Sequence, residues 1–266
     1  MNLQQFKLTP PWEWPDDAGR FLQNIVADQS ASLEDRLAAA EFAGDSTVVD
    51  DQVVAVLLDV TADPKAPEKL REATAIALGP VLEMADTEGF DDPDEMPISE
   101  ATFHRVQKTL ADLYHNADVP TDVRRRALEA SIRATQDWHK GAVRAAFQSG
   151  DADWMLTAVF SMRFVRGFEA QIGQALDNAD PRIHLQAVLA AGANELSAAW
   201  GHVAGLARSE STDKDMRLAA IEALAGIQPK KSARLLRELT TSDDPEICEA
   251  AFDALALSGE AEEGDW

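Results

Sequence analysis

Between Asp213 and Pro229 the chain reads DKDMRLAAIEALAGIQP, with apolar residues at Met216, Ala220, Ala223, Leu224 and Ile227. That is the 3.6-residue spacing of one helix face. Leu218, Ile221 and Ala225 supply a second apolar face, expected of a helix sandwiched between neighbours. Acidic Asp213 and Asp215 stand at the start, and Gly226 and Pro229 stand at the end. Carboxylates complement the positive end of a helix, while Gly and Pro terminate it. A second helix is expected over KKSARLLRELTTSD, and Asp244-Pro245 opens the pattern again.

This unit recurs. With Arg217 as the reference position, equivalent residues are Arg36, Arg71, Arg124, Met155, His184 and Cys248, separated by 35, 53, 31, 29, 33 and 31 residues. Only the second spacing departs from a period near 30, and the acidic stretch Asp86–Ser99 accounts for the excess. A fixed period of this length marks a stack of supersecondary units, each too small to bury its own apolar face. About seven helical hairpins and one insertion, residues 86–99, are therefore expected in a single repeat domain spanning 1–266.

The ends break the pattern. Pro10, Pro11 and Pro15 argue against regular helix in residues 1–15 and favour extended backbone, yet Phe6, Leu8, Trp12 and Trp14 are too apolar for a free tail. These residues are expected to cap the first hairpin, with Trp12 and Trp14 buried. The polar tail 259–266 stands at the other end.

Alanine and leucine dominate, Tyr occurs once, and the composition is that of an all-helical protein. Cys248 is the sole cysteine, so no disulfide joins two parts of the chain, and a reducing compartment is the natural reading. The first residues lack a basic segment followed by an apolar run, and no stretch approaches the roughly 20 apolar residues that span a bilayer. A cytoplasmic protein is the expectation. The formal charge is −23 and it is uneven. Residues 1–122 carry 8 basic and 25 acidic side chains, residues 123–182 carry 9 and 7, and residues 183–266 carry 7 and 15. An acidic molecule thus has a neutral-to-basic middle.

The pattern of Asp, hydrophobic residue, Arg, and spaced alanines ending in Ala-Leu-Gly resembles the HEAT-like repeat, in the short form also found in phycobilin lyases. The resemblance spans roughly residues 20–260 and implies a right-handed α-solenoid with one helix layer lining a concave groove. It also implies that Arg36, Arg71, Arg124 and Arg217 form a ladder of charged hydrogen bonds between repeats. It does not specify function, because this repeat serves scaffolds, lyases and nucleic-acid enzymes alike.

Candidate chemistry is sparse. The five histidines, His104, His115, His139, His184 and His202, form no HxxxH or HxxE pair, and no second cysteine supports a zinc site. The His-Glu dipeptides of HEAT-like di-iron hydroxylases are absent. Asp91, Asp92, Asp94 and Glu95 lack the spacing of a calcium loop. The carboxylate one turn from a groove aromatic, which HEAT-like DNA glycosylases require, is missing: Trp138, Trp154 and Trp200 are followed four residues on by alanine. No phosphate loop or nucleophile elbow is present. No catalytic residue, metal or cofactor is therefore expected.

The most informative region for binding is the middle. Arg125, Arg126, Arg144, Arg163 and Arg166 are interleaved with Trp138, His139 and Trp154, and cations beside aromatics anchor anions, bases or protein partners. Three functions stay open. The leading one is a non-enzymatic scaffold that holds a protein or peptide with a basic surface in the groove. The others are an anion or nucleic-acid binder through residues 124–182, which the negative field opposes, and a bilin lyase-like enzyme.

Overall fold

A computed structural model describes residues 2–91 and 96–259, and every described regular element is helical. The chain forms two compact units that divide between Ala142 and Val143. The first holds α1 (Leu3–Leu8), α2 (Ala18–Ala27), α3 (Leu33–Ala43), α4 (Asp51–Ala62), α5 (Glu68–Ala77), α6 (Gly79–Glu88), α7 (Glu100–His115) and α8 (Thr121–Ser131). Helix α9 (His139–Gln148) carries the chain across the division. The second unit continues with α10 (Ala152–Ser161), α11 (Glu169–Ala175), α12 (Pro181–Ala193), α13 (Trp200–Arg208), α14 (Lys214–Gly226), α15 (Pro229–Leu239) and α16 (Pro245–Leu257).

Within each unit the helices pair as antiparallel hairpins, and second helices pack in a row. In the first unit α3 packs on α5 and α5 on α8; in the second, α10, α12, α14 and α16 follow one another. The seven register residues all fall on the fourth residue of a second helix. The reference helix behaves as its pattern requires. Asp213 caps α14 by accepting from the backbone of Asp215 and Met216, and Met216, Ala220, Ala223, Leu224 and Ile227 are buried.

The hydrogen bonds described for the register arginines run within a repeat. Each reaches back ten residues within its own hairpin, to a carbonyl in the last turn of the first helix. Arg36 donates through Nε and Nη2 to Val26 O at 2.9 and 2.8 Å. Arg71, Arg124 and Arg217 donate through Nε to Thr61 O, Tyr114 O and Ala207 O at 3.0, 2.9 and 2.9 Å. A helix C-terminus leaves carbonyls without intrahelical partners and concentrates partial negative charge there. A guanidinium satisfies both needs, so where a ladder between repeats was expected, these bonds form a clamp inside each of four hairpins. The turn is set by the residue eight before the arginine. Asp28, Asp63 and Asn116 each accept from the backbone N–H two residues on, at 2.8, 2.9 and 3.0 Å, the side-chain turn that Asp and Asn favour.

Glycine closes the repeat for a steric reason. A Cβ on Gly192 would lie 2.6 Å from Ala223 Cα, and one on Gly226 would lie 2.5 Å from the Gly192 carbonyl oxygen. The second helices α12 and α14 meet backbone to backbone at this end, which only the smallest residues allow.

The N-terminal segment is partly helical despite its prolines. Helix α1 precedes them, and Pro11–Glu13 form a single 3-10 turn. Phe6 carries the packing: it is 2 % exposed, with Trp14, Phe21 and Phe42 ring centroids 4.8, 5.7 and 5.8 Å away. Trp14 is half-buried and donates Nε1–H to Thr9 O at 2.9 Å. Trp12 is 79 % exposed, contrary to expectation, because the 3-10 turn aims it away from the cluster that Trp14 joins. The insertion is also more structured than a loop. Its first three residues end α6, Ile98 is buried, and Phe90 and Met96 pack on the core. Asp51 accepts from Ser99 N–H at 2.9 Å. Residues Asp92, Asp94 and Glu95, and the tail from residue 260, lie outside the described residues.

Two stability outcomes follow from this packing. Arg71→Ala leaves Thr61 O without its charged donor in a site where the side chain is 4 % exposed. It should cost about 2–3 kcal/mol in urea unfolding, and the half-exposed Arg217→Ala roughly half as much. Phe6→Ala should cost about 3–4 kcal/mol by leaving a cavity, whereas Trp12→Ala should change stability by no more than about 0.5 kcal/mol.

Candidate functional site

The register fixes which side of each second helix remains open, whether or not an arginine occupies it. Positions one and five residues after the register residue line a groove in each unit. In the second unit these are Leu185 and Leu189 on α12, Leu218 and Glu222 on α14, and Asp253 on α16. Asp215, Ala219, Ala250, Ala254 and Leu257 complete a groove of about 470 Å³. Leu257 is 77 % exposed, and Leu185, Leu189 and Leu218 are half-buried. Three exposed carboxylates, Asp215, Glu222 and Asp253, therefore surround four leucines with no basic side chain in the lining. None of the three carboxylates is ion-paired within the described residues.

The corresponding groove of the first unit is larger, about 1250 Å³, and chemically mixed. Leu37 and Glu41 of α3 and Glu72 and Ile76 of α5 occupy the same two positions. One end is walled by Phe6, Leu8 and Trp14 of the N-terminal segment. Its charges largely cancel in place: Lys69 Nζ lies 2.9 Å from Glu72, and Arg126 is paired to Glu129. Glu68, Glu72 and Asp122 bring carboxylate oxygens within 4.8 Å of one another, but Lys69 already supplies a cation to Glu72.

The central basic stretch is shared between the two units. In the first unit, Arg125 is buried and donates to Asp122 at 2.7 Å, and Arg126 pairs with Glu129 along the same helix. Trp138 is half-buried, with Tyr114 and His115 each 5.0 Å away, and donates Nε1–H to Gln136 Oε1 at 2.8 Å. His139 is fully buried. Its Nδ1 accepts from Gln136 N–H at 2.8 Å, so Nε2 carries the proton and donates to Ser131 Oγ at 3.0 Å. Rather than facing a partner, this histidine pins the turn between α8 and α9. In the second unit, Arg144 is exposed on α9 and Trp154 is half-buried near the start of α10. Arg163 lies 5.9 and 5.8 Å from the Phe160 and Phe164 rings, within cation–π range. Arg166 is exposed, 3.9 Å from Glu195.

The groove residues of the second unit were not singled out from sequence, although a signal exists. Leu185, Leu189, Leu218, Glu222 and Asp253 sit at constant offsets from the register residue in successive repeats. Leu218 reads as a face sandwiched by neighbours. In the structure it lines the groove between α12 and α16, half-buried.

Burial holds the His139 pKa down at about 4 against an ordinary 6.5. Between those values the unfolded chain binds a proton that the folded chain refuses, so stability is complete above about pH 6.5 and declines as pH falls toward 4. The contribution at stake is on the order of 3 kcal/mol. His139→Gln should flatten the stability profile across this window in denaturant titrations at stepped pH.

Residues 202–265 match the family model of HEAT repeats. Among solved structures, the chain is similar to YibA of Escherichia coli at 14 % identity, covering 92 % of this chain and 84 % of that one, with a TM-score of 0.43. It is similar to human deoxyhypusine hydroxylase, solved with glycerol, at 15 % identity over 92 % and 96 % of the two chains, with a TM-score of 0.41. A third likeness is to an engineered protein, at 18 % identity over 93 % and 98 %, with a TM-score of 0.34. No curated protein matches the sequence. The family match covers the last two hairpins, and the clamp that organises the first of them recurs at Arg36, Arg71 and Arg124: residues 202–265 match HEAT repeats, and both units are built, among the described residues, of all-α helical hairpins on the same plan.

Proposed function

We propose that this protein is a non-enzymatic binding scaffold whose second unit takes a basic, amphipathic segment of a partner protein. One observation carries the reading: the groove on α12, α14 and α16 combines four leucines with three unpaired carboxylates and no cation. Apolar anchors at helical spacing on the partner would enter between the leucines, while its Lys or Arg side chains met Asp215, Glu222 and Asp253. Residues 183–266 carry 15 acidic against 7 basic side chains, so long-range steering favours the same partner. The central arginines fit an anion less well, since Arg125, Arg126 and Arg182 already bond to Asp122, Glu129 and Asp180.

A fluorescein-labelled synthetic helix with Leu at positions i, i+3 and i+7 and Lys elsewhere is a suitable probe in anisotropy titrations. It should bind saturably and weaken as salt rises, because added salt shortens the Debye length from about 8–10 Å and screens the exposed carboxylates from the peptide's lysines. Glu222→Lys and Asp253→Lys should each weaken it about tenfold, roughly 1.4 kcal/mol, and Leu218→Glu should abolish binding while leaving the helical circular dichroism intact. Equal affinity for a Glu-substituted peptide, or indifference to these three changes, would refute the proposal.

A further inference from the structure

His184 occupies the register position that holds a clamp arginine in four other hairpins, and it makes a different contact. Its Nε2 lies 2.8 Å from Nε2 of His202 on α13, the first helix of the following hairpin. The ring centroids are 5.0 Å apart and the planes are inclined at 66°. Two imidazole nitrogens from different helices therefore converge on one point at the protein surface, His184 half-buried and His202 exposed. As a hydrogen bond, this pairing requires one neutral ring to donate N–H to the lone pair of the other. Burial and then the neighbouring His202 both lower the His184 pKa, with Asp177 acting in the opposite sense, so the uncharged form that can ligate is favoured.

We propose that His184 and His202 form a two-imidazole site for a divalent transition-metal ion of the class that imidazole prefers: zinc, nickel or copper(II). A tetrahedral ion about 2.0–2.1 Å from each nitrogen sets them roughly 3.3 Å apart. The rings need open by only about half an ångström from the observed 2.8 Å, a movement that the exposed His202 ring can supply. For binding, the ring that carries the Nε2 proton takes the tautomer protonated on Nδ1, exchanging the proton through water, so that both rings stay neutral and both Nε2 lone pairs point at the ion while water fills the remaining positions. Asp177, whose charge already acts on His184, lowers the cost of a second positive charge at this point. The ion would tie α12 to α13 and so brace one hairpin against the next, where no guanidinium clamp operates. The pair is separated by 18 residues, which is why no HxxxH-type spacing announces it.

Calorimetric titration of the full chain with zinc chloride in a non-coordinating buffer tests the site, with His184→Ala, His202→Ala and, as a control, the exposed His104→Ala. One equivalent should bind to the wild type and to the control and should raise the thermal midpoint. Affinity should fall at least tenfold in each of the other two variants. Titration with copper(II) followed by electron paramagnetic resonance should show two equivalent nitrogen couplings that drop to one in His202→Ala, a surface change that leaves folding intact. Undiminished zinc affinity in His202→Ala, or no saturable binding by the wild type, overturns the proposal.

Discussion

A short hairpin turn forces the last carbonyls of its first helix to end without backbone partners, and the rest of this architecture depends on how that need is met. The chain meets it with an arginine on the fourth residue of the second helix, donating to a carbonyl ten residues back. The contact joins a fixed charge to the negative end of a helix and makes up a hydrogen-bond deficit that burial would otherwise penalise by a few kcal/mol. It also fixes how the second helix is rotated about its axis. The alanines and leucines of the register then face the neighbouring hairpins, and glycine permits the close approach at the helix end.

That rotation has a functional consequence. With one side of each second helix held against its own hairpin and two flanks packed on neighbours, the positions one and five residues past the register residue line the groove. Leu37, Glu41, Glu72 and Ile76 occupy them in the first unit, and Leu185, Leu189, Leu218, Glu222 and Asp253 in the second. The same geometry thus presents two surfaces whose chemistry differs by substitution alone. One is closed at an end by aromatic residues of the N-terminal segment and has internally cancelled charge; the other is open, leucine-lined and purely acidic.

Where the clamp lapses, the register position is released for other contacts. Cys248 keeps a weaker version, its thiol donating to Thr240 O at 3.0 Å. Met155 receives only the Asn178 side-chain amide at 3.5 Å. His184 turns instead toward the next hairpin. Departures from a repeat's consensus are thus informative here because they mark where a structural duty has been withdrawn.

The all-α class, the seven hairpins and the second-helix starts were legible in the sequence, because apolar periodicity, Asp caps and Gly-Pro stops act over a few residues and need no partner. The insertion was legible as an irregular spacing, though not as the helix α6 that precedes it, since Gly79-Pro80 reads equally as a stop and as a new start. The aromatic N-terminus was legible as too apolar for a free tail, but not which tryptophan would pack: a single 3-10 turn separates Trp14 in the cluster from Trp12 in solvent. The direction of the arginine bonds, the burial of His139, the composition of the grooves and the meeting of His184 with His202 were decided by tertiary structure alone. Each depends on side chains 8 to 120 residues apart being carried to one place by the rotation of packed helices, and no local pattern encodes a rotation that only the neighbouring helices impose.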